Sequence, residues 1–116
     1  MKINDIFSIK GKVALVTGGS RGIGEMITRG FLSNGVKVYI TARKADACNA
    51  MAKKLSEQYN AECISIPEDV SNIEGIVRLV NVIKKQENYL DILVNNAGAV
   101  WAEPFTEFSE IGWDKV

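Results

Sequence analysis

Residues 17–24 read TGGSRGIG, four glycines among eight residues with one arginine between them. Residue types at this spacing suit phosphate binding. Glycines expose backbone N–H groups, and a helix N-terminus adds the positive end of a dipole. Gly18 would allow a sharp exit from a strand, Gly22 would let a pyrophosphate approach the backbone, and Gly24 would let the next helix pack close to the sheet. The spacing Gly18-x-x-x-Gly22-x-Gly24 is one residue longer than the Gly-x-Gly-x-x-Gly of dinucleotide sites, and it lacks the GK[ST] of nucleoside-triphosphate loops. A bare structural turn is the alternative. The loop's place after a strand, opening a helix in the first unit of an alternating chain, argues for the phosphate site.

A second cluster follows the next strand-like run. Dinucleotide sites read the adenosine ribose about twenty residues beyond the glycine loop, with an acid for a 2′-hydroxyl or a base for a 2′-phosphate. Residues 41–44, TARK, hold no carboxylate, and Asp46 already falls in the following helix. Arg21 and Arg43 carry guanidinium forks that match phosphate oxygens. A base near a helix N-terminus is disfavoured by the dipole, and a phosphate would offset that cost. The expected cofactor is NADP(H), with NAD(H) less favoured; mere solvation of a helix start by Arg43 and Lys44 is the alternative.

Other chemistries find little here. The absence of histidine excludes His-based triads and His-ligated metals within the chain. Cys48 and Cys63 are too far apart for a CxxC and fall in amphipathic segments, as reduced core thiols would. Lysine plus arginine balances aspartate plus glutamate at 14 each, so no global field draws the chain to nucleic acid or anionic lipid. The opening residues MKINDIFSIKGK contain no long apolar run, so neither a signal peptide nor a membrane span is expected, and a reducing cytoplasm is.

The elements that must hold these residues are legible from periodicity. Short apolar runs at 12–17, 36–41, 61–66 and 91–95 read as strands covered on both faces. Helical spacing links Ile23, Met26, Ile27, Gly30 and Phe31, then Ala47, Cys48, Met51, Ala52, Leu55 and Tyr59, then Ile73, Ile76, Val77, Val80 and Ile83. Gly35 should end the first of these helices, and Ser71 or Asn72 should cap the third. The order β-α-β-α-β-α-β, with Ser109 capping the start of a fourth helix, predicts an α/β fold: a doubly wound parallel sheet with right-handed crossovers, in one domain over residues 1–116.

Three motifs together resemble the short-chain dehydrogenase/reductases: TGGSRGIG at 17–24, EDV at 68–70 after the third strand, and NNAG at 95–98 after the fourth. The basic residues at 21 and 43 resemble the NADPH-preferring branch, and the wording GGSRGIG, LDILVNNAG and GWDKV is similar to bacterial 3-oxoacyl-carrier-protein reductases. The resemblance implies the first half of a Rossmann-type sheet. It also implies that Gly18, Ser20, Arg21, Gly22, Ile23 and Gly24 hold the pyrophosphate and, with Arg43, the 2′-phosphate. Asp69 and Val70 would flank the adenine, with Asp69 accepting from its amine; Asn95, Ala97 and Gly98 would line the nicotinamide ribose, and Asn96 would brace the central strands. The implied reaction is hydride transfer to the carbonyl of a small-molecule substrate, possible with a 3-oxoacyl thioester, in a full-length dimer or tetramer. Trp101, Phe105 and Phe108 stand where a substrate pocket could begin, with core packing expected for at least one of them.

The family's catalytic serine, tyrosine and lysine have no counterpart here: none of Tyr39, Tyr59 and Tyr89 belongs to a YxxxK. The sequence is therefore expected to be the cofactor-binding half of a longer reductase, truncated before the catalytic half and inactive alone. A non-catalytic nucleotide-binding fragment or remnant is the alternative.

Overall fold

A computed structural model describes residues 2–99 and 102–116. Strands β1 (Val13–Thr17), β2 (Lys37–Thr41), β3 (Cys63–Ser65) and β4 (Ile92–Val94) form one parallel sheet in the order β3-β2-β1-β4. Val16 is the register pivot, lying opposite Ile40 of β2 on one side and Val94 of β4 on the other. A short helix α1 (Ile3–Phe7), absent from the sequence expectation, precedes the sheet with no buried residue. Helices α2 (Gly22–Ser33), α3 (Ala45–Tyr59) and α4 (Ile73–Gln86) make the three crossovers, and α5 (Glu110–Lys115) follows a single 3₁₀ turn at Phe105–Glu107.

The two faces of the sheet carry separate cores. Ala14, Val16, Val38 and Ile40 point to one side, where Leu32 of α2 and Cys48, Ala52 and Leu55 of α3 cover them. Leu15 and Tyr39 point to the other, against Leu79 and Ile83 of α4. This is the outcome of right-handed crossovers that run one way from β1 to β3 and then reverse to reach β4. The fold is the Rossmann-type sheet expected from the sequence, and β1 lies at the reversal, where such sheets open a crevice at their carboxyl ends.

Element ends differ from the periodicity reading for local reasons. The third strand starts later than residue 61 because Asn60 turns left-handed (φ 46°) and the Ala61 amide still closes α3 on the Ser56 carbonyl at 3.2 Å. Asn72, not Ser71, caps α4, its side chain accepting from the Gly75 amide at 2.7 Å. Ser109 caps α5 as expected, accepting from Gly112 at 3.0 Å. The buried stripes also shift. α2 buries Gly24, Thr28 and Leu32, and α4 buries Gly75, Leu79 and Ile83, while Ile23, Met26, Ile73, Ile76, Val77 and Val80 are exposed. Both helices lie so close to the chain beneath their first turn that only glycine fits there. A Cβ on Gly75 would run into the Asp69 carbonyl, and one on Gly24 into the Gly18 carbonyl.

Cys48 and Cys63 are buried free thiols, as expected. Burial raises both, Cys63 to about 12, which keeps them protonated and unreactive. Among the described residues no helix is long and apolar enough to cross a membrane.

Candidate cofactor-binding site

β1 ends at Thr17, whose buried hydroxyl ties three pieces of chain together. It donates to the Val94 carbonyl at 3.2 Å and accepts from the amides of Asn96 at 2.9 Å and Ala97 at 3.0 Å. The Asn96 side chain answers by donating to the carbonyls of Thr17 at 3.2 Å and Gly18 at 3.3 Å. The segment after β4 is thus stitched to the start of the glycine loop, with Asn96 in the bracing role expected of it. On the other side, the Gly18 amide donates to the Thr41 carbonyl at 2.9 Å, so the loop also continues the ladder to β2.

The loop's shape depends on its glycines at defined points. Gly18 turns at φ +67°, and a Cβ there would press within 3.0 Å of the Asn96 amide nitrogen. Gly19, which the sequence left without a role, passes so close to β2 that a Cβ would sit 2.6 Å from Ile40 Cγ2. Gly22 also has positive φ, but nothing lies within 4 Å of the place its Cβ would take. Gly24 is buried, and the Thr28 hydroxyl donates to its carbonyl at 2.8 Å. α2 begins without a side-chain cap, unlike α4 and α5. The loop therefore offers uncapped helix amides beside open space at Gly22, an arrangement of the kind that fits a phosphate.

The sequence-derived residues all fall at the carboxyl ends of the strands. Arg21 and Arg43 are exposed, and among the described residues neither lies within ion-pair distance of a carboxylate. Ser20 is half-buried and Ile23 exposed at the loop and helix start. Asp69 and Val70 are half-buried after β3. The Val70 side chain packs partly against the Leu15 and Tyr39 cluster, and Asp69 accepts from the Ser71 amide at 2.9 Å. Ser71 holds the Asp69 carboxyl below the ordinary carboxylate range, with a smaller pull from Arg43. Asn95, Ala97 and Gly98 are exposed past the end of β4.

The chain beyond β4 presents aromatic surface rather than core. Phe105 is 96% exposed and Phe108 36%; they line, with Trp113 and Val116, an open apolar groove of about 540 Å³. Neither phenylalanine joins the two core clusters, so of the three aromatics for which core packing of at least one was expected, these two do not supply it. Trp101 lies outside the described residues. The tyrosines stand apart from the site. The Tyr39 hydroxyl donates to Glu87 at 2.7 Å at the end of α4, Tyr59 closes α3, and Tyr89 is exposed before β4.

The sequence reading missed Thr17, Gly19 and the Arg78–Glu68 ion pair beside Asp69. Thr17 had a signal only in its position, a hydroxyl residue closing an apolar strand directly before the glycines.

Comparison with known proteins agrees with this geometry. Residues 12–116 match the family described as short chain dehydrogenase. The rhamnolipids biosynthesis 3-oxoacyl-[acyl-carrier-protein] reductase of Pseudomonas aeruginosa is 46% identical over 95% of this chain and 42% of its own length. A structure of Pseudomonas aeruginosa RhlG in an NADP active-site complex superposes with a TM-score of 0.88 at 47% identity, over 95% of this chain and 42% of that one. L-sorbose reductase from Gluconobacter frateurii, complexed with NADPH and L-sorbose, superposes at 0.86 with 34% identity, over 92% of this chain and 41% of that one. The chain thus spans about four-tenths of the length of the relatives it matches. With its glycine loop, its parallel sheet and its NNAG turn in their places, the chain belongs to the short chain dehydrogenase family.

Proposed function

We propose that residues 1–116 form the dinucleotide-holding domain of an NADPH-dependent oxidoreductase that reduces a small-molecule carbonyl. One observation carries the reading. The start of α2 is uncapped, with open space at Gly22; Arg21 adjoins it and Arg43 follows β2, both without an ion pair among the described residues, and the end of β2 offers no carboxylate to a ribose hydroxyl. Gly18, Ser20, Gly22, Ile23 and Gly24 surround the pyrophosphate, and Arg21 and Arg43 grip the 2′-phosphate. Asp69, already an acceptor below its usual range, takes the adenine amine, with Val70 alongside; Asn95, Ala97 and Gly98 line the nicotinamide ribose. When bound, NADPH supplies the hydride. The similar proteins named for a 3-oxoacyl thioester and for L-sorbose share carbonyl reduction, and a 3-oxoacyl thioester is the first substrate to offer.

Among the described residues no tyrosine is placed to donate a proton to such a carbonyl. Tyr39 is buried against Glu87, and neither Tyr59 nor Tyr89 stands at the carboxyl end of the sheet. The test has two arms. In thermal unfolding, 2′,5′-ADP should raise the melting temperature more than 5′-AMP does. Saturation about a hundredfold above Kd corresponds to about 2.7 kcal/mol. With NADPH and a 3-oxoacyl thioester, the chain alone should show no turnover. Equal stabilisation by the two nucleotides would overturn the 2′-phosphate assignment, and turnover would overturn the division of labour.

A further inference from the structure

Arg78 projects from the second turn of α4 and makes a fork on Glu68. Its Nε donates to Oε1 at 2.9 Å and Oε2 at 3.1 Å, and its Nη2 donates to Oε2 at 3.0 Å. Planar guanidinium–carboxylate pairing of this kind fixes orientation as well as distance. Glu68 is the residue before Asp69 and Val70, and its own amide donates to the Ala42 carbonyl at 3.1 Å. Ala42 in turn precedes Arg43. One residue is therefore held at its side chain by α4 and at its backbone by the segment after β2. The Glu68 side chain is sheltered, 16% exposed, while Arg78 lies over it at 58%.

The fork also distributes charge. Glu68 and Asp69 are adjacent carboxylates near Arg43. Arg78 engages the first, and the Ser71 amide engages the second. Among the described residues Arg43 is left without an ion pair although two acids lie in the neighbouring loop. Asn72 and Gly75 complete the brace, because α4 starts on the Asn72 cap with Gly75 pressed onto the Asp69 carbonyl.

We propose that Arg78 is a positioning residue for the adenosine end of the site: its fork on Glu68 fixes loop 68–70 against residues 42–43 and keeps Glu68 off Arg43. This inference rests on the dinucleotide reading above. Arg78 acts through Glu68 rather than on the nucleotide itself.

The test measures the ligand-free loop and the nucleotide separately, in the full chain. Arg78→Gln should speed amide hydrogen exchange at residues 68–71 relative to β1 and β2. It should also weaken 2′,5′-ADP binding, measured by calorimetry, by about 1.5-fold to fivefold, the range for an exposed pair. Arg78→Lys, which keeps the charge but not the fork, should recover part of that affinity. A lower melting temperature with unchanged exchange at 68–71 and unchanged 2′,5′-ADP affinity would overturn the inference while leaving the dinucleotide reading in place. A wild-type chain that binds neither 2′,5′-ADP nor 5′-AMP would overturn that reading, and the adenosine role of Arg78 with it.

Discussion

Thr17 shows how much one hydroxyl can organise. Its three hydrogen bonds reach residues 77 to 80 positions away, and they bring the turn after β4 up to the glycine loop. Thr17→Val keeps the shape and removes the hydroxyl, leaving the amides of Asn96 and Ala97 without it. The cost should be about 1–3 kcal/mol, since an orphaned buried donor loses its water as well as its partner. Urea unfolding checks this, and Thr17→Ser should behave as wild type; a Val variant as stable as wild type would refute the linking role. Gly24→Ala is the companion case. Its methyl must displace the Gly18 carbonyl, so α2 has to lift from the loop, at about 1–3 kcal/mol by overpacking and with loss of 2′,5′-ADP binding. The glycines and arginines were legible in the sequence because their types and spacing belong to one short segment. Thr17 was not, because a threonine closing an apolar run reads as a strand former, and its partners lie in another part of the chain.

Among the elements, type and order were legible and the buried faces were less so. In α2 and α4 the residues against the sheet follow one scheme, glycine, then Thr28 or Leu79, then Leu32 or Ile83, each four residues apart. A reading that weighs large apolar side chains passes over a glycine, although close approach is what the first turn requires. That is why periodicity assigns Ile73, Ile76, Val77 and Val80 to the inner face of α4, which Gly75 and Leu79 hold. The far end of α4 is held by a polar clasp that periodicity does not reveal. Tyr39 donates to Glu87 at 2.7 Å, and Lys37 of β2 pairs with the same carboxylate at 2.9 Å. The Lys37 ammonium, then the Tyr39 hydroxyl, hold the Glu87 carboxyl below its ordinary 4.5. A carboxyl depressed by folding stabilises the native state above its unfolded value and loses that contribution as pH falls through the folded one. Stability should therefore decline as pH drops below about 4.5, and Glu87→Gln should flatten that limb of a melting-temperature profile. An acid limb unchanged in the variant would show that other carboxylates govern it. Lys37 is raised chiefly by Glu87, so its contribution is complete below its ordinary 10.5 and fades only in stronger alkali.

At the scale of the molecule, the two faces of the sheet are unequally covered. Leu93 of β4 lies in register with Leu15, and residues paired across parallel strands point the same way, so Leu93 belongs to the α4 face. There it is 55% exposed. The outward residues of α4, Ile73, Ile76, Val77 and Val80, are exposed as well. α5 buries only Gly112 among its described residues and leaves Ile111 and Trp113 in solvent. The edge strand β4 carries neither lysine nor proline over Ile92–Val94, the residues that usually discourage edge pairing. The balanced charge, 14 against 14, supplies no long-range repulsion to keep copies apart near neutral pH. Exposed apolar side chains together with an edge strand that lacks lysine and proline favour association by the same burial that builds a core. Light scattering should accordingly give a mass that rises above 12.7 kDa with concentration. Leu93→Lys combined with Val80→Glu, both at exposed positions, should return the mass to that of one chain with an unchanged far-ultraviolet dichroism spectrum. Should the wild-type chain remain at a single-chain mass up to about 100 μM, well into the range where exposed hydrophobic surface associates, this face would not be a site of self-association.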